Sequence, residues 1–217
     1  MQRALTLYQT NIGKKAVLAL TGFVLVGFVT GHMLGNMNAY LGEEALNDYA
    51  ATLRAVPALL WAARIALLIA FPLHIYTAIS LVRANRAARP NRYGKKEDLV
   101  TSVAAKWMPY TGLLLLAFLL FHLAHLTFGW LPAFDPTNVY ANFVSGFQNP
   151  IYSALYIIGN LALGFHLFHG VWSMFQSLGA SHPKYDGYRV DLAIFVSAII
   201  TIGNISFPIA VLAGVIQ

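Results

Sequence analysis

The chain has 217 residues, 58% of them hydrophobic and only 10% charged, a balance that excludes a water-soluble domain and puts most of the chain in lipid. Its net charge of +6 would suit nucleic acid, but the basic residues lie between apolar runs rather than in one patch or tail, so no nucleic-acid partner is expected. The lack of cysteine removes disulfides, thiolate chemistry, iron–sulfur ligation and covalent haem attachment, leaving His, carboxylate and Met to hold any metal.

Five apolar segments follow in order, at about 16–35, 58–82, 107–129, 151–176 and 192–214. Each is long enough to cross ~30 Å of hydrocarbon at ~1.5 Å per residue. The expected fold is all-α, a single integral membrane bundle of five transmembrane helices over residues 1–217. The first run follows Lys14 and Lys15, has no small-residue cleavage site and carries His32, so it reads as a span rather than a signal peptide. The connections are rich in Asn, Gly, Pro and charge; the longest, 132–150, is expected to hold a short interfacial helix. Every Lys and Arg except Arg54 and Arg64 falls on one side of the bundle. That asymmetry predicts a membrane protein with its N-terminus in the cytoplasm and Gln217 outside. No span core contains Asp or Glu, so the carboxylate relay common in ion carriers is not expected.

Histidines take the place of carboxylates. His32, His74, His122, His125, His166 and His169 all lie in the first four spans, the last two within LGFHLFHGVWSMF at 163–175. An ionisable side chain in lipid is costly and points to function. Measured from the cytoplasmic polar flanks at ~1.5 Å per residue, His32 and His122 lie about 25 and 24 Å deep, and His74 and His166 about 14 and 15 Å. Two tiers result, roughly 10 Å apart, with two helices contributing to each. Imidazoles at equal depth on separate helices suit bis-histidine haem, and two such pairs would form a transmembrane electron wire. Gly27, Gly31, Gly112, Gly164 and Gly170 are candidates for porphyrin clearance, and Pro72 is expected to bend the second span. His125 and His169, each three residues from a better-placed histidine, are expected to hydrogen-bond propionates, backbone or quinone. Arg64 either snorkels to the outer interface or pairs with an outer-haem propionate; Arg83 or Lys106 could serve the inner haem.

Taken together, NIGKKAVLALTG (11–22), GHMLGNMNAYLG (31–42), ALNDYAATL (45–53), the 64–74 segment, LLFHLAH (119–125) and GFHLFHGVWSMFQSLG (164–179) resemble the dihaem cytochrome b558-type membrane anchor of bacterial succinate dehydrogenases and fumarate reductases. The resemblance implies two haems b, a distal one held by His32 and His122 and a proximal one by His74 and His166. It implies a flavoprotein subunit with FAD and an iron–sulfur subunit with its clusters, docked on the cytoplasmic face. It further implies menaquinone as the electron partner, with quinone reduction on this chain. The basic loop 83–96 and the N-terminal segment are docking candidates, although positive-inside charge is sufficient by itself to account for both. A quinone near the distal haem would meet Glu43, Glu44 and Asp48; near the proximal haem it would meet Asn11, Lys15, Trp172 and Ser173. Assembly of several copies stays open, as do a cytochrome of another respiratory enzyme, such as a hydrogenase or formate dehydrogenase, and a haem-free transporter or scaffold.

Overall fold

The computed structural model describes residues 7–88, 103–130 and 134–217; the expectations for Arg3 and for the loop beyond Ala88 fall outside it. The described residues contain helices and no strand, as expected. Five long apolar helices cross the bundle: α1 (Asn11–Asn36), α3 (Pro57–Ala87), α4 (Val103–His122, prolonged by a π-helical turn at Leu123–Thr127), α6 (Pro150–Ser177) and α7 (Asp186–Leu212). Two short helices, α2 (Glu43–Ala55) and α5 (Val139–Gln148), lie between them.

The helices overrun the apolar runs, because helix capping is set by polar residues rather than by hydropathy. Thr10 caps α1, its Oγ1 accepting the Gly13 N–H at 3.0 Å, so the helix begins at Asn11 and not at 16. At the C-terminus of α3, Arg86 in the last turn complements the helix dipole and the helix runs to Ala87, past 82. α7 starts at Asp186 rather than 192, an acid in its first turn that also pairs with Arg189. Pro72 lies inside a continuous α3, where it removes one backbone donor.

α6 is the central element, packing against α1, α4 and α7, while α3 packs on α1. Glycines let side chains of neighbouring helices approach closely: Gly159 of α6 lies against Phe118 of α4, Gly164 of α6 against Thr201, and Gly203 of α7 against Met33. α2, α5 and the C-terminus share one end. There Tyr40 donates to Ser206 Oγ at 2.8 Å and Tyr140 to the Gln217 carbonyl at 2.8 Å. Gly42, at φ 102° and ψ −177°, makes the turn into α2 in a backbone region open essentially to glycine alone. The best-packed core lies toward this end, around Met33, Phe143, Phe147, Tyr156, Phe207 and Val211. Elsewhere large apolar side chains face outward, with Leu68 70% and Ile202 68% exposed, a belt that suits acyl chains.

Candidate functional site

The inner tier is built by two threonines. Thr21 of α1 donates its hydroxyl proton back to its own helix, to Val17 O at 2.8 Å and Leu18 O at 3.1 Å. With that proton committed, Oγ1 accepts from Nδ1 of His74 on α3, 3.1 Å away. Thr111 of α4 repeats the pattern: it donates to Trp107 O at 3.1 Å and Met108 O at 3.2 Å, and stands 3.3 Å from Nδ1 of His166 on α6. Both imidazoles therefore carry their proton on Nδ1, a tautomer assigned from the network, and keep a lone pair on Nε2. Their ring centroids are 6.4 Å apart at an interplanar angle of 56°. The glycine after each threonine makes room for the ring. A Cβ on Gly22 would stand 3.4 Å from His74 Cε1, and one on Gly112 would stand 3.7 Å from His166 Cε1.

In the outer tier the rings of His32 on α1 and His122 on α4 have centroids 5.8 Å apart at 80°. His32 stacks on Phe28, and its Nε2 is 3.4 Å from the Asn36 amide. Nδ1 of His122 meets the Tyr156 hydroxyl at 3.2 Å, and Nδ1 of His125 meets the same oxygen at 3.1 Å. Tyr156 is buried, its ring edged by Phe118, Phe121 and Phe147. α4 loosens into its π turn just beyond His122, and such turns recur at functional sites.

The tiers stand farther apart than span depth suggested. His74 is level with Thr21, and His32 follows Thr21 by eleven residues, about 16 Å of helix. Eleven residues also make about three full turns, so threonine and histidine share one face of α1. The same spacing joins Thr111 to His122 on α4. The sequence carries this as a repeat, TGFVLVGFVTGH at 21–32 and TGLLLLAFLLFH at 111–122, a Thr-Gly-x9-His signature that hydropathy and histidine counting passed over. Each copy is matched by a helix bearing one inner-tier histidine, α3 beside α1 and α6 beside α4.

The remaining candidates divide. His125 Nδ1 lies 3.1 Å from the Tyr156 hydroxyl, a partner that the sequence reading did not name. His169 has a buried Nδ1 without a hydrogen-bond partner among the described residues and packs its ring on Trp172, centroids 5.9 Å apart. Gly164 lies in close contact with Thr201 of α7, whereas Cβ atoms on Gly27, Gly31 and Gly170 would meet nothing within 4 Å. Arg64 is exposed and lies over the Trp61 ring, its Cζ 5.2 Å from the centroid. Glu43, Glu44 and Asp48 are exposed on α2, with Glu43 accepting from Asn138 Nδ2 at 2.6 Å. Asn11 and Lys15 are exposed in the first turns of α1, and Ser173 Oγ turns back to Gly170 O at 3.3 Å. Thr21, Thr111 and Tyr156 were not singled out from sequence, because hydroxyls in membrane helices are ordinarily satisfied by their own backbone.

Searches among curated proteins and among solved structures returned no match. Residues 82–205, more than half of the chain and spanning α4 to α6 with both of their tiered histidines, match the family model of the succinate dehydrogenase/fumarate reductase transmembrane subunit. Five apolar helices and this match make the chain a multi-pass membrane protein that belongs to the family of succinate dehydrogenase/fumarate reductase transmembrane subunits.

Proposed function

We propose that the chain is the dihaem anchor of a succinate:menaquinone oxidoreductase, carrying electrons between the iron–sulfur subunit and quinone. Family membership implies the coarser role, a membrane subunit of a succinate dehydrogenase/fumarate reductase complex associated with flavoprotein and iron–sulfur subunits and with quinone. The observation that carries the finer reading is the pair of facing imidazole couples, His74 with His166 and His32 with His122, each joining two helices. A metal about 2 Å from each of two imidazole nitrogens spaces the ring centroids by roughly 6 Å, and these rings stand 6.4 and 5.8 Å apart. Among the described residues no group of three or more His, Cys, Asp or Glu converges on a metal position. Paired imidazoles therefore suit a group that brings its own equatorial ligands.

His74 and His166 would hold the inner haem b and His32 and His122 the outer one. A haem gripped by two histidines has no open position and supplies one-electron transfer rather than oxygen chemistry. The protein's own contribution is orientation and exclusion of water. Thr21 and Thr111 hold the rings of His74 and His166 through Nδ1, which leaves the Nε2 lone pair of each for a ligand. The distribution of Lys and Arg supports a cytoplasmic N-terminal end, where the iron–sulfur subunit would dock, and an external end carrying α2 and α5. Menaquinone, if it reacts on this chain, meets Glu43, Glu44 and Asp48 at the outer end or Asn11, Lys15, Trp172 and Ser173 at the inner one. Purifying the native complex tests the assignment. Mass spectrometry should find a flavoprotein and an iron–sulfur chain, and succinate should reduce a b-type absorbance; hydrogenase or formate dehydrogenase subunits instead would overturn it.

A further inference from the structure

We infer that Tyr156 is the positioning residue of the outer haem, a hydrogen-bond relay that fixes the tautomer of His122 by leaning on His125. The inference rests on the reading of His122 as a haem ligand. A tyrosine hydroxyl has one proton, yet the Tyr156 oxygen is 3.2 Å from Nδ1 of His122 and 3.1 Å from Nδ1 of His125. It must donate to one ring and accept from the other. If His122 binds iron through Nε2, its Nδ1 carries hydrogen and donates to Tyr156; the Tyr156 proton then passes to Nδ1 of His125. His125 is thereby held as the Nε2–H tautomer, buried and unable to offer Nδ1 to anything else.

The surroundings are built for this arrangement. The Tyr156 ring is 5% exposed and locked by edge contacts with Phe118 at 5.3 Å, Phe121 at 5.6 Å and Phe147 at 4.7 Å between centroids. His125 is carried on the π turn and lies against Gly146 of α5, where a Cβ would come within 2.6 Å of both Cε1 and Nε2. A glycine in α5 thus admits the ring that accepts from Tyr156, and the external helix α5 is coupled through His125 and Tyr156 to His122. This also gives a reason for two histidines three residues apart on α4, one to ligate and one to hold the tyrosine. The inner tier uses threonine for the same task, its proton accepted by the helix backbone instead of by a second histidine.

A hydrogen bond from Nδ1–H to an acceptor makes the imidazole a stronger donor and stabilises ferric iron. Tyr156→Phe should leave two haems per chain, raise the midpoint potential of the outer haem, shift its low-spin EPR signal and leave the inner haem unchanged. Two retained haems with the outer potential and EPR signal both as in wild type would overturn the inference. If Tyr156→Phe loses the outer haem, His125→Leu decides. It keeps the Tyr156 ring and hydroxyl and removes the acceptor of its proton, so a raised outer potential upholds the relay and an unchanged one refutes it. Haem content of the wild-type protein separates this from the larger reading: a wild type without an outer haem fails the proposed function, whereas unchanged variants in a dihaem protein fail the relay alone.

Discussion

Two threonines, one on α1 and one on α4, decide which ring nitrogen is free at His74 and His166, because each has already given its own proton to its helix. Outer partners of this kind typically alter retention of a bound group 10–100-fold when removed. Thr21→Val and Thr111→Val should each weaken retention of the inner haem by about that factor, measured by haem loss to an apo-globin acceptor, while the outer haem is held as in wild type. At the proposed ligands, His166→Ala should leave one haem per chain and His169→Ala two; the reverse result in a redox difference spectrum would exchange their roles. The histidines were legible in the sequence because an ionisable group in lipid needs a reason. Their threonines were not, since one hydroxyl among apolar residues is unremarkable until the Thr-Gly-x9-His spacing is seen twice.

Among the elements, α2 and α5 depend on one another through Asn138. Its Oδ1 caps α5 by accepting from Ala141 N at 2.9 Å and also accepts from Asn47 at 3.0 Å, while its amide donates to Glu43. Asn138→Ala should destabilise this end by at least a lost cap, about 0.5–2 kcal/mol, visible as a lower melting temperature with the spans still helical by circular dichroism. Before α5, Asp135 accepts from Thr137 Oγ1 and N at 2.6 and 2.7 Å, which holds its carboxyl below the usual carboxylate range. A carboxyl whose folded value is depressed stabilises the turn above its unfolded value near ~3.9, and loses that contribution as pH falls through the folded value. The protection factor of the Thr137 amide, its exchange relative to the intrinsic rate at each pH, should therefore fall in acid, and Asp135→Asn should flatten that dependence. The short helix within 132–150 was expected from length. α2 was not, because only Leu46 of its residues is buried and the rest of ALNDYAATL resembles a polar connection. The span limits missed for the same physical reason: hydropathy marks the lipid-facing part of a helix, whereas Thr10, Arg86 and Asp186 mark its ends.

For the whole molecule, five crossings put the two ends of the described chain on opposite sides, and charge chooses between the two orientations. The natural absence of cysteine gives a clean background for a direct test. A cysteine at Gln217 should react with a membrane-impermeant maleimide in intact cells, and one at His182 only after permeabilisation. The number and class of the long apolar helices were legible from composition and run length; the pairing of α1 with α3 and α4 with α6 into two like halves was not, because it resides in side-chain spacing rather than in hydropathy. The most direct test of the account is the ratio of haem to chain in purified wild type, His74→Ala and His122→Ala, read with low-spin EPR. Ratios of two, one and one, with a different signal missing from each variant, are predicted. A wild type holding fewer than two haems, or variants that both lose the same signal, would contradict it.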